Sequence, residues 1–241
     1  MPLKIIIPSH NRADRVFAKN LLVDPILFVA ESQREEYAKH NKDVEIVTHS
    51  DKLIGLIPKR NEIIKTFGDS FMVDDDVFAF RRMYVEEGES QQIKDPKIVT
   101  QKIFELYELA KMMDMKLYGF TKNPRPVHYR ENKMFSLSQS ITGCAYGVMK
   151  DIGFGWPLAF QLKEDLLISG LNKYYNRANL IDMRYVFIQK DTMKNPGGLS
   201  DIRTQKKERE NIDLLKKYFG QSVQRKTEKK ASFNVILKYR Y

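Results

Sequence analysis

Short apolar runs that end abruptly in turn chemistry, with helix-patterned stretches between them, constrain this chain more than any other feature. Leu3-Lys4-Ile5-Ile6-Ile7 is rich in β-branched residues and stops at Pro8-Ser9-His10-Asn11-Arg12. Ile26–Ala30 and Val44–Thr48 follow, separated by a charged helical pattern over Gln33–Asn41, and Phe71-Met72-Val73 runs straight into Asp74-Asp75-Asp76. Runs of this length suit buried strands, and a strand joined to a parallel neighbour needs a long crossover, usually a helix. The pattern therefore predicts βαβ units around a mostly parallel sheet flanked by helices.

The rest of the chain can be read the same way. Ile63, Ile64 and Phe67 recur at helical spacing after Pro58, and Gly68 stands where a C-terminal cap belongs. Asp95-Pro96 is an N-cap with proline at the first helical position, leading a stripe of Val99, Ile103, Leu106, Tyr107, Ala110 and Met113. A strand is predicted at Lys116–Thr121, a polar loop at Lys122–Lys133 and a half-buried strand at Met134–Ser140. Glu164-Asp165 opens a helix whose Leu166, Leu167, Gly170, Leu171, Tyr174 and Tyr175 are expected to share a face. Ile181, Met183, Tyr185 and Phe187 alternate as one strand, Asn195-Pro196-Gly197-Gly198 forms a loop, and Thr204–Phe219 is a helix closed by Gly220. This predicts one α/β domain over residues 1–220 and a basic tail, 221–241, carrying a candidate edge strand.

Composition narrows the functional classes. With 241 residues, 42% hydrophobic and 30% charged, the chain has enough apolar side chains for a packed core and is not of the disordered type. No apolar run approaches the roughly 18 residues of a membrane span, so a cytoplasmic protein with no membrane partner is expected. Cys144 is the single cysteine, which rules out an internal disulfide and a thiolate zinc cluster. The net charge of +10 is concentrated late: residues 200–241 hold 12 Lys/Arg against 5 Asp/Glu. Such an excess suits nucleic acid or a phosphorylated ligand, and equally a solvated surface.

The strongest chemical signal is Asp74-Asp75-Asp76. Three adjacent carboxylates at a strand end repel one another unless a cation or hydrogen-bond donors offset the repulsion. Mg²⁺ or Mn²⁺ commonly uses one or two protein carboxylates and fills its other positions with phosphate oxygens and water. An isolated triplet also suits a solvated turn, so its neighbours matter. Lys59-Arg60-Asn61 lies just upstream on a predicted helix and offers cations for a diphosphate. Further on, Thr142-Gly143-Cys144-Ala145-Tyr146 leads towards Glu164-Asp165, where a carboxylate could accept a hydroxyl proton.

The order of these motifs resembles the GT-A glycosyltransferases, especially their large inverting family, over roughly residues 3–190. The resemblance implies a GT-A-like, Rossmann-like domain that moves a sugar from a nucleotide-diphosphate sugar, with a UDP-sugar the first expectation. It also implies that Pro8, Ser9, His10, Asn11 and Arg12 contact the nucleotide base. Arg60-Asn61 corresponds to a donor-binding pair beside Lys59, and Asp74 and Asp76 correspond to the Asp-x-Asp motif that takes Mn²⁺ or Mg²⁺. Asp74 or Asp75 is then left for the ribose, the register being open. Gly143 falls in the acceptor segment, and Asp165 takes the role of base with Glu164 in support.

Asn195 to Gly198 with Arg203 is similar to a narrower group, the TET-associated glycosyltransferases of phages, which modify hydroxymethylated bases in DNA. That resemblance implies a DNA acceptor carrying 5-hydroxymethylcytosine and a donor contact by Arg203. Arg125, His128, Tyr129 and Arg130 are the candidate DNA contacts, offering cations beside stackable rings. The family often has a histidine as third metal ligand, and none of His10, His40, His49 and His128 falls where it is needed. A nucleotidyltransferase, a glycosyltransferase for a polysaccharide or protein, and a catalytically silent DNA-binding protein are the alternatives. The first counts against itself by lacking a glycine-rich loop after the first strand.

Overall fold

A computed structural model of the chain describes residues 2–190, 204–225 and 235–238. In chain order the elements are β1 (Lys4–Pro8), β2 (Ile26–Ala30), α1 (Arg34–His40), β3 (Glu45–His49), α2 (Leu56–Phe67), β4 (Ser70–Val73), β5 (Val77–Arg82) and β6 (Gln92–Ile93). They continue as α3 (Pro96–Met112), β7 (Leu117–Phe120), β8 (Phe135–Ser136), β9 (Ala145–Val148), α4 (Glu164–Asn176), β10 (Leu180–Asp182), β11 (Tyr185–Gln189), α5 (Gln205–Phe219), β12 (Val223–Arg225) and β13 (Val235–Leu237).

Eight strands form the central sheet in the order β3-β2-β1-β4-β9-β7-β10-β8. The first four run parallel, β9 is antiparallel to both β4 and β7, β10 is parallel to β7, and β8 is antiparallel to β10. The sheet is thus mixed and mostly parallel, as the alternation of strands and helices predicts. Both faces are covered because β1 sends Ile5 and Ile7 to one side and Ile6 to the other. Val99, Ile103, Leu106, Tyr107 and Ala110 of α3 join the first core, while α2, α4 and α5 contribute Ile57, Ile63, Leu166, Leu167, Ile168, Ile212 and Leu215 to the second. Each Val, Leu or Ile among them contributes about 1.5–3 kcal/mol of burial.

Local signals end the elements where they were read. The Asp95 side chain accepts a hydrogen bond from Lys97 N at α3, and Thr204 caps α5 through Lys207 N. Gly68 closes α2 at φ 75°, a backbone region that glycine enters without penalty.

Three expectations change. Met134–Ser140 is a strand only at β8, because the chain pairs with β10 for just two residues. Tyr174 and Tyr175, expected on the buried face of α4, are 71% and 59% exposed. Asn172 and Lys173 beside them take the buried side of the helix instead, and the Tyr175 ring stacks on Phe154. The alternation from Ile181 to Phe187 is two strands: β10 stays in the central sheet, and after Met183-Arg184 the chain crosses to a second antiparallel sheet, β11-β5-β6. Phe80, Phe120 and Phe187 pack that small sheet against the large one, with ring centroids 4.5–5.5 Å apart. In the tail, β12 and β13 pair with each other in an antiparallel ladder, and Val235 is buried in the second core.

Candidate active site

Parallel packing brings the C-terminal ends of β3, β2, β1 and β4 to one edge, the place where open α/β sheets bind ligands. The Asp74-Asp75-Asp76 turn leaves β4 at that edge, fixed by Asp74 N donating to Cys144 O at 2.8 Å and Val77 N to Asp74 O at 3.2 Å. Because the turn reverses the chain into β5, the three carboxylates do not point the same way.

Asp75 turns towards β1. It accepts from Ser9 Oγ at 2.5 Å and from the Arg12 guanidinium at 2.7 Å, while Ser9 Oγ also meets Tyr37 OH at 2.6 Å. Arg12 N donates to Tyr37 OH, and Arg12 reaches Asp76 at 3.5 Å. Pro8 and Ser9 are buried, whereas His10 and Asn11 are exposed and are held by Gln33, which bonds both side chains and accepts from Asn11 N. The loop that follows β1 is therefore joined directly to the aspartate turn.

Asp74 turns the other way. Arg60, only 1% exposed, donates to Asp74 at 3.4 Å, to the Gly143 carbonyl at 2.9 Å and to Glu164 at 3.2 Å, and lies 4.9 Å over the ring of Tyr146. Gly143 is pressed against the start of α4: an added Cβ would stand 3.4 Å from Glu164 Oε1 and 3.5 Å from Asp165 Cβ. One guanidinium thus binds the aspartate turn, the Gly143 segment and the Glu164-Asp165 pair into a single unit, although they are up to 104 residues apart in sequence. Burial and then the neighbouring Glu164 raise the pKa of Asp165, which Lys122 and Arg60 oppose.

Asp76 faces the second sheet. The β11–β5 register sets Gln189 opposite Val77, so its amide Nε2 reaches Asp76 at 2.7 Å and Asp74 at 3.4 Å. Gln189 had no signal in the sequence, since only the pairing of β11 with β5, a strand the sequence did not reveal, delivers it. Two hard carboxylate oxygens from Asp74 and Asp76 converge on that one amide. Burial raises the pKa of both, with the adjacent aspartates adding to the effect. A divalent cation would relieve this crowding. No group of three His, Cys, Asp or Glu side chains among the described residues is arranged to hold one unaided, so phosphate oxygens and water would complete its shell, as Mg²⁺ and Mn²⁺ favour. The residues fit such an ion.

The remaining candidates divide. Lys59 is buried, and that burial pushes its pKa down to about 8 against the pull of Asp75. Asn61, expected at the donor, spends its amide on both backbone groups of Trp156, each at 2.9 Å, and so pins the Gly155-Trp156 segment to α2. Arg125, His128 and Arg130 are exposed on the loop around a short 3-10 turn at Pro126–His128, and Tyr129 lies 6.2 Å from the exposed Tyr84 ring. Arg203 and Asn195 to Gly198 lie outside the described residues.

An acidic turn and a second carboxylate pair, tied by one arginine at the C-terminal edge of a mostly parallel sheet, define the class as an open α/β fold with a charged cluster at the edge where such sheets bind ligands. The sequence matches the family TET-Associated Glycosyltransferase over residues 3–198, and the chain belongs to that family. No curated protein matches it. Among solved structures, TarS 1-349 of S. aureus shares 10% identity over 92% of this chain and 73% of its own, with a TM-score of 0.45. A197 from STIV shares 12% over 79% and 86%, with a TM-score of 0.43. A 4-diphosphocytidyl-2C-methyl-D-erythritol synthase from Anaerococcus prevotii shares 10% over 88% and 96%, with a TM-score of 0.40. The overlaps are loose, and the assignment rests on the family match. No helix among the described residues is long and apolar enough to cross a membrane.

Proposed function

We propose that this glycosyltransferase moves a sugar from a nucleotide-diphosphate donor, a UDP-sugar first, to the hydroxymethyl group of 5-hydroxymethylcytosine or a related pyrimidine in DNA, with inversion. The observation that supports the reading is Arg60 holding Asp74, Gly143 and Glu164 together, which fits Asp165 as the proton acceptor next to an aspartate turn that would meet the donor diphosphate through a cation. Asp74 and Asp76 would hold Mn²⁺ or Mg²⁺, which when bound supplies charge to stabilise the leaving diphosphate. Asp165 takes the proton of the acceptor hydroxyl as its oxygen bonds to the anomeric carbon. The bond from that carbon to the diphosphate oxygen breaks, and the nucleoside diphosphate leaves. Glu164, held by Arg60, positions Asp165. Lys59, Arg12 and Arg203 are assigned to the donor.

The DNA acceptor is supported by the family and by the exposed loop that bears Arg125, His128, Tyr129 and Arg130, with Lys122 at its base interacting electrostatically with Asp165. The pyrimidine 5-position faces the open major groove, so the hydroxyl can be presented without full extrusion of the base.

The test uses duplexes containing cytosine, 5-methylcytosine or 5-hydroxymethylcytosine, with a panel of nucleotide sugars and Mn²⁺. Transfer is expected only to the last duplex, should release a nucleoside diphosphate and should stop in EDTA. Asp165→Asn should lower turnover about 10²–10⁴-fold while donor binding is kept. Unimpaired Asp165→Asn turnover would remove the base assignment, full activity in chelator would remove the metal, and transfer to protein or polysaccharide alone would remove the DNA acceptor.

A further inference from the structure

The helix α5 lies beyond the residues 3–198 that match the family, and the chemistry above does not use it. It is nevertheless bonded to the chain directly in front of Glu164 and Asp165. Asn211, 3% exposed, accepts with its side-chain oxygen from Gln161 N at 3.0 Å and from Leu162 N at 3.1 Å. Its amide nitrogen donates to Lys207 O at 2.8 Å, which fixes that orientation. One turn earlier on the same face of α5, Glu208 pairs with the ammonium of Lys163 at 2.8 Å, with little of either side chain in solvent.

The backbone at that point needs such support. Lys163 is the residue before α4 and stands at φ 60° and ψ 31°, a left-handed conformation that residues other than glycine rarely adopt. Its side chain makes no cap to α4. Conformations of this kind persist where the surroundings over-determine them. Here α5 supplies the surroundings: Leu162 is fully buried, so no water can replace the Asn211 oxygen at its N–H.

The same two helices meet a second time. Gly170 lies so close to Phe219 that an added Cβ would stand 2.4 Å from its ring, and Tyr218 packs edge-on against Phe160 with ring centroids 5.5 Å apart. The helix that begins with Glu164 and Asp165 is thus gripped at its entry and again near its middle. Arg60 reaches Glu164 from α2, so α2 and α5 both locate the pair. Asp165 follows Lys163 by two residues, within the first turn, and a shift at the entry must displace its carboxylate.

We propose that Asn211 and Glu208 are positioning residues for the transfer reaction: through Leu162 and Lys163 they set where α4 starts and, with it, where the Asp165 carboxylate stands. A helix outside the family-matched segment then controls the rate of the chemical step without touching either substrate. The inference rests on Asp165 acting as the base and adds what places it.

The test compares steady-state kinetics of the full chain, with donor and hydroxymethylated duplex varied in turn. Asn211→Leu keeps the volume and removes the acceptor; Asn211→Asp keeps an oxygen for both amides. Asn211→Leu should lower kcat about tenfold to a hundredfold and leave both KM values within about twofold, Asn211→Asp should recover most of kcat, and Glu208→Gln should act like Asn211→Leu by a smaller factor. Adding Asn211→Leu to Asp165→Asn should cost little further turnover, because a misplaced base matters only where there is a base; a merely structural role would give an additive loss. Full kcat in a folded Asn211→Leu protein, or a loss that adds to that of Asp165→Asn, overturns the assignment and leaves Asp165 as the base. Should Asn211→Leu fail to fold, Glu208→Gln carries the same comparison, and full kcat or additivity there overturns it equally. If Asp165→Asn alone is unimpaired, the base reading falls and this inference falls with it.

Discussion

Two arginines flank the aspartate turn, and they differ in what surrounds them. Arg60 is 1% exposed and is committed on three sides to Asp74, the Gly143 carbonyl and Glu164, with Tyr146 across its face. Arg12 comes from the loop after β1, is 11% exposed at its side chain, and bridges Asp75 and Asp76. The sequence suggests a donor role for both. The surroundings separate them: a guanidinium that already holds the Gly143 segment and the start of α4 in place is suited to positioning, whereas one at the edge of the turn can re-pair when phosphate arrives. A planar fork serves the first task, because several acceptors must be met at fixed angles.

The sharpest way to break this contrast is to remove Arg60. Arg60→Met keeps much of the volume and removes the charge, leaving Asp74 and Glu164 buried with no cation between them. Loss of one partner from a buried pair costs about 3–5 kcal/mol, so the urea midpoint should fall by that equivalent and transfer should be lost. Arg60→Lys should recover little, since an ammonium cannot reproduce the fork. A variant as stable as wild type that is impaired only in donor binding would make Arg60 a donor ligand instead.

The same contrast shows how much could be read before the structure. The strands β1 to β4, their crossovers and the caps at Asp95, Gly68 and Thr204 were legible because local hydrophobic period and turn chemistry determine them. The Asp triplet and the Glu164-Asp165 pair were legible as chemistry, because clustered charge needs a reason. The β5–β11 sheet was not, since Val77 to Arg82 is a short strand placed directly after three charged residues. With it went Gln189, whose place beside Asp76 depends on long-range register. Asn61 reads as a donor residue in sequence, and only the packing of Trp156 against α2 reveals the amide's other task.

Arg12→Ala should be milder in stability and specific in function. Asp75 keeps the Ser9 hydroxyl at 2.5 Å, so the fold should lose only about 1–2 kcal/mol. The donor's KM should rise roughly tenfold or more, about the worth of one charge-assisted contact, with the DNA KM little changed. A selective DNA defect would move Arg12 to the acceptor side.

Gly143→Ala probes the Arg60 side without breaking it. The new methyl would meet Glu164 Oε1 at 3.4 Å and Asp165 Cβ at 3.5 Å, ordinary contact distances that crowd neither carboxylate. Stability should stay within about 0.5 kcal/mol and kcat within about twofold. A kcat loss of about tenfold or more in a folded variant would show that the Gly143 segment itself approaches the acceptor closely.

The last effect concerns Lys59, which lies next to Arg60 in sequence and interacts with Asp75 on the Arg12 side. Burial lowers its pKa to about 8, while an unfolded lysine titrates at roughly 10.4. Between those values the unfolded chain binds more protons than the folded one, so stability must rise with pH. The contribution is fully present above the unfolded value and is lost as pH falls through about 8. Lys173, also lowered to about 8 by burial, acts in the same sense, whereas Asp74, raised to about 8, and Cys144, Tyr37 and Tyr107, raised to about 12, all mainly by burial, act in the opposite sense, so the share of Lys59 is the difference between wild type and Lys59→Met. Between pH 8 and 9 the wild type should gain about 1 kcal/mol from this one group, and Lys59→Met should lose that gain while otherwise folding normally. Urea unfolding of both proteins at the two pH values measures the difference directly. Equal slopes would mean that Lys59 keeps its proton when folded, and would return it to the ranks of the fully charged donor cations beside Arg12.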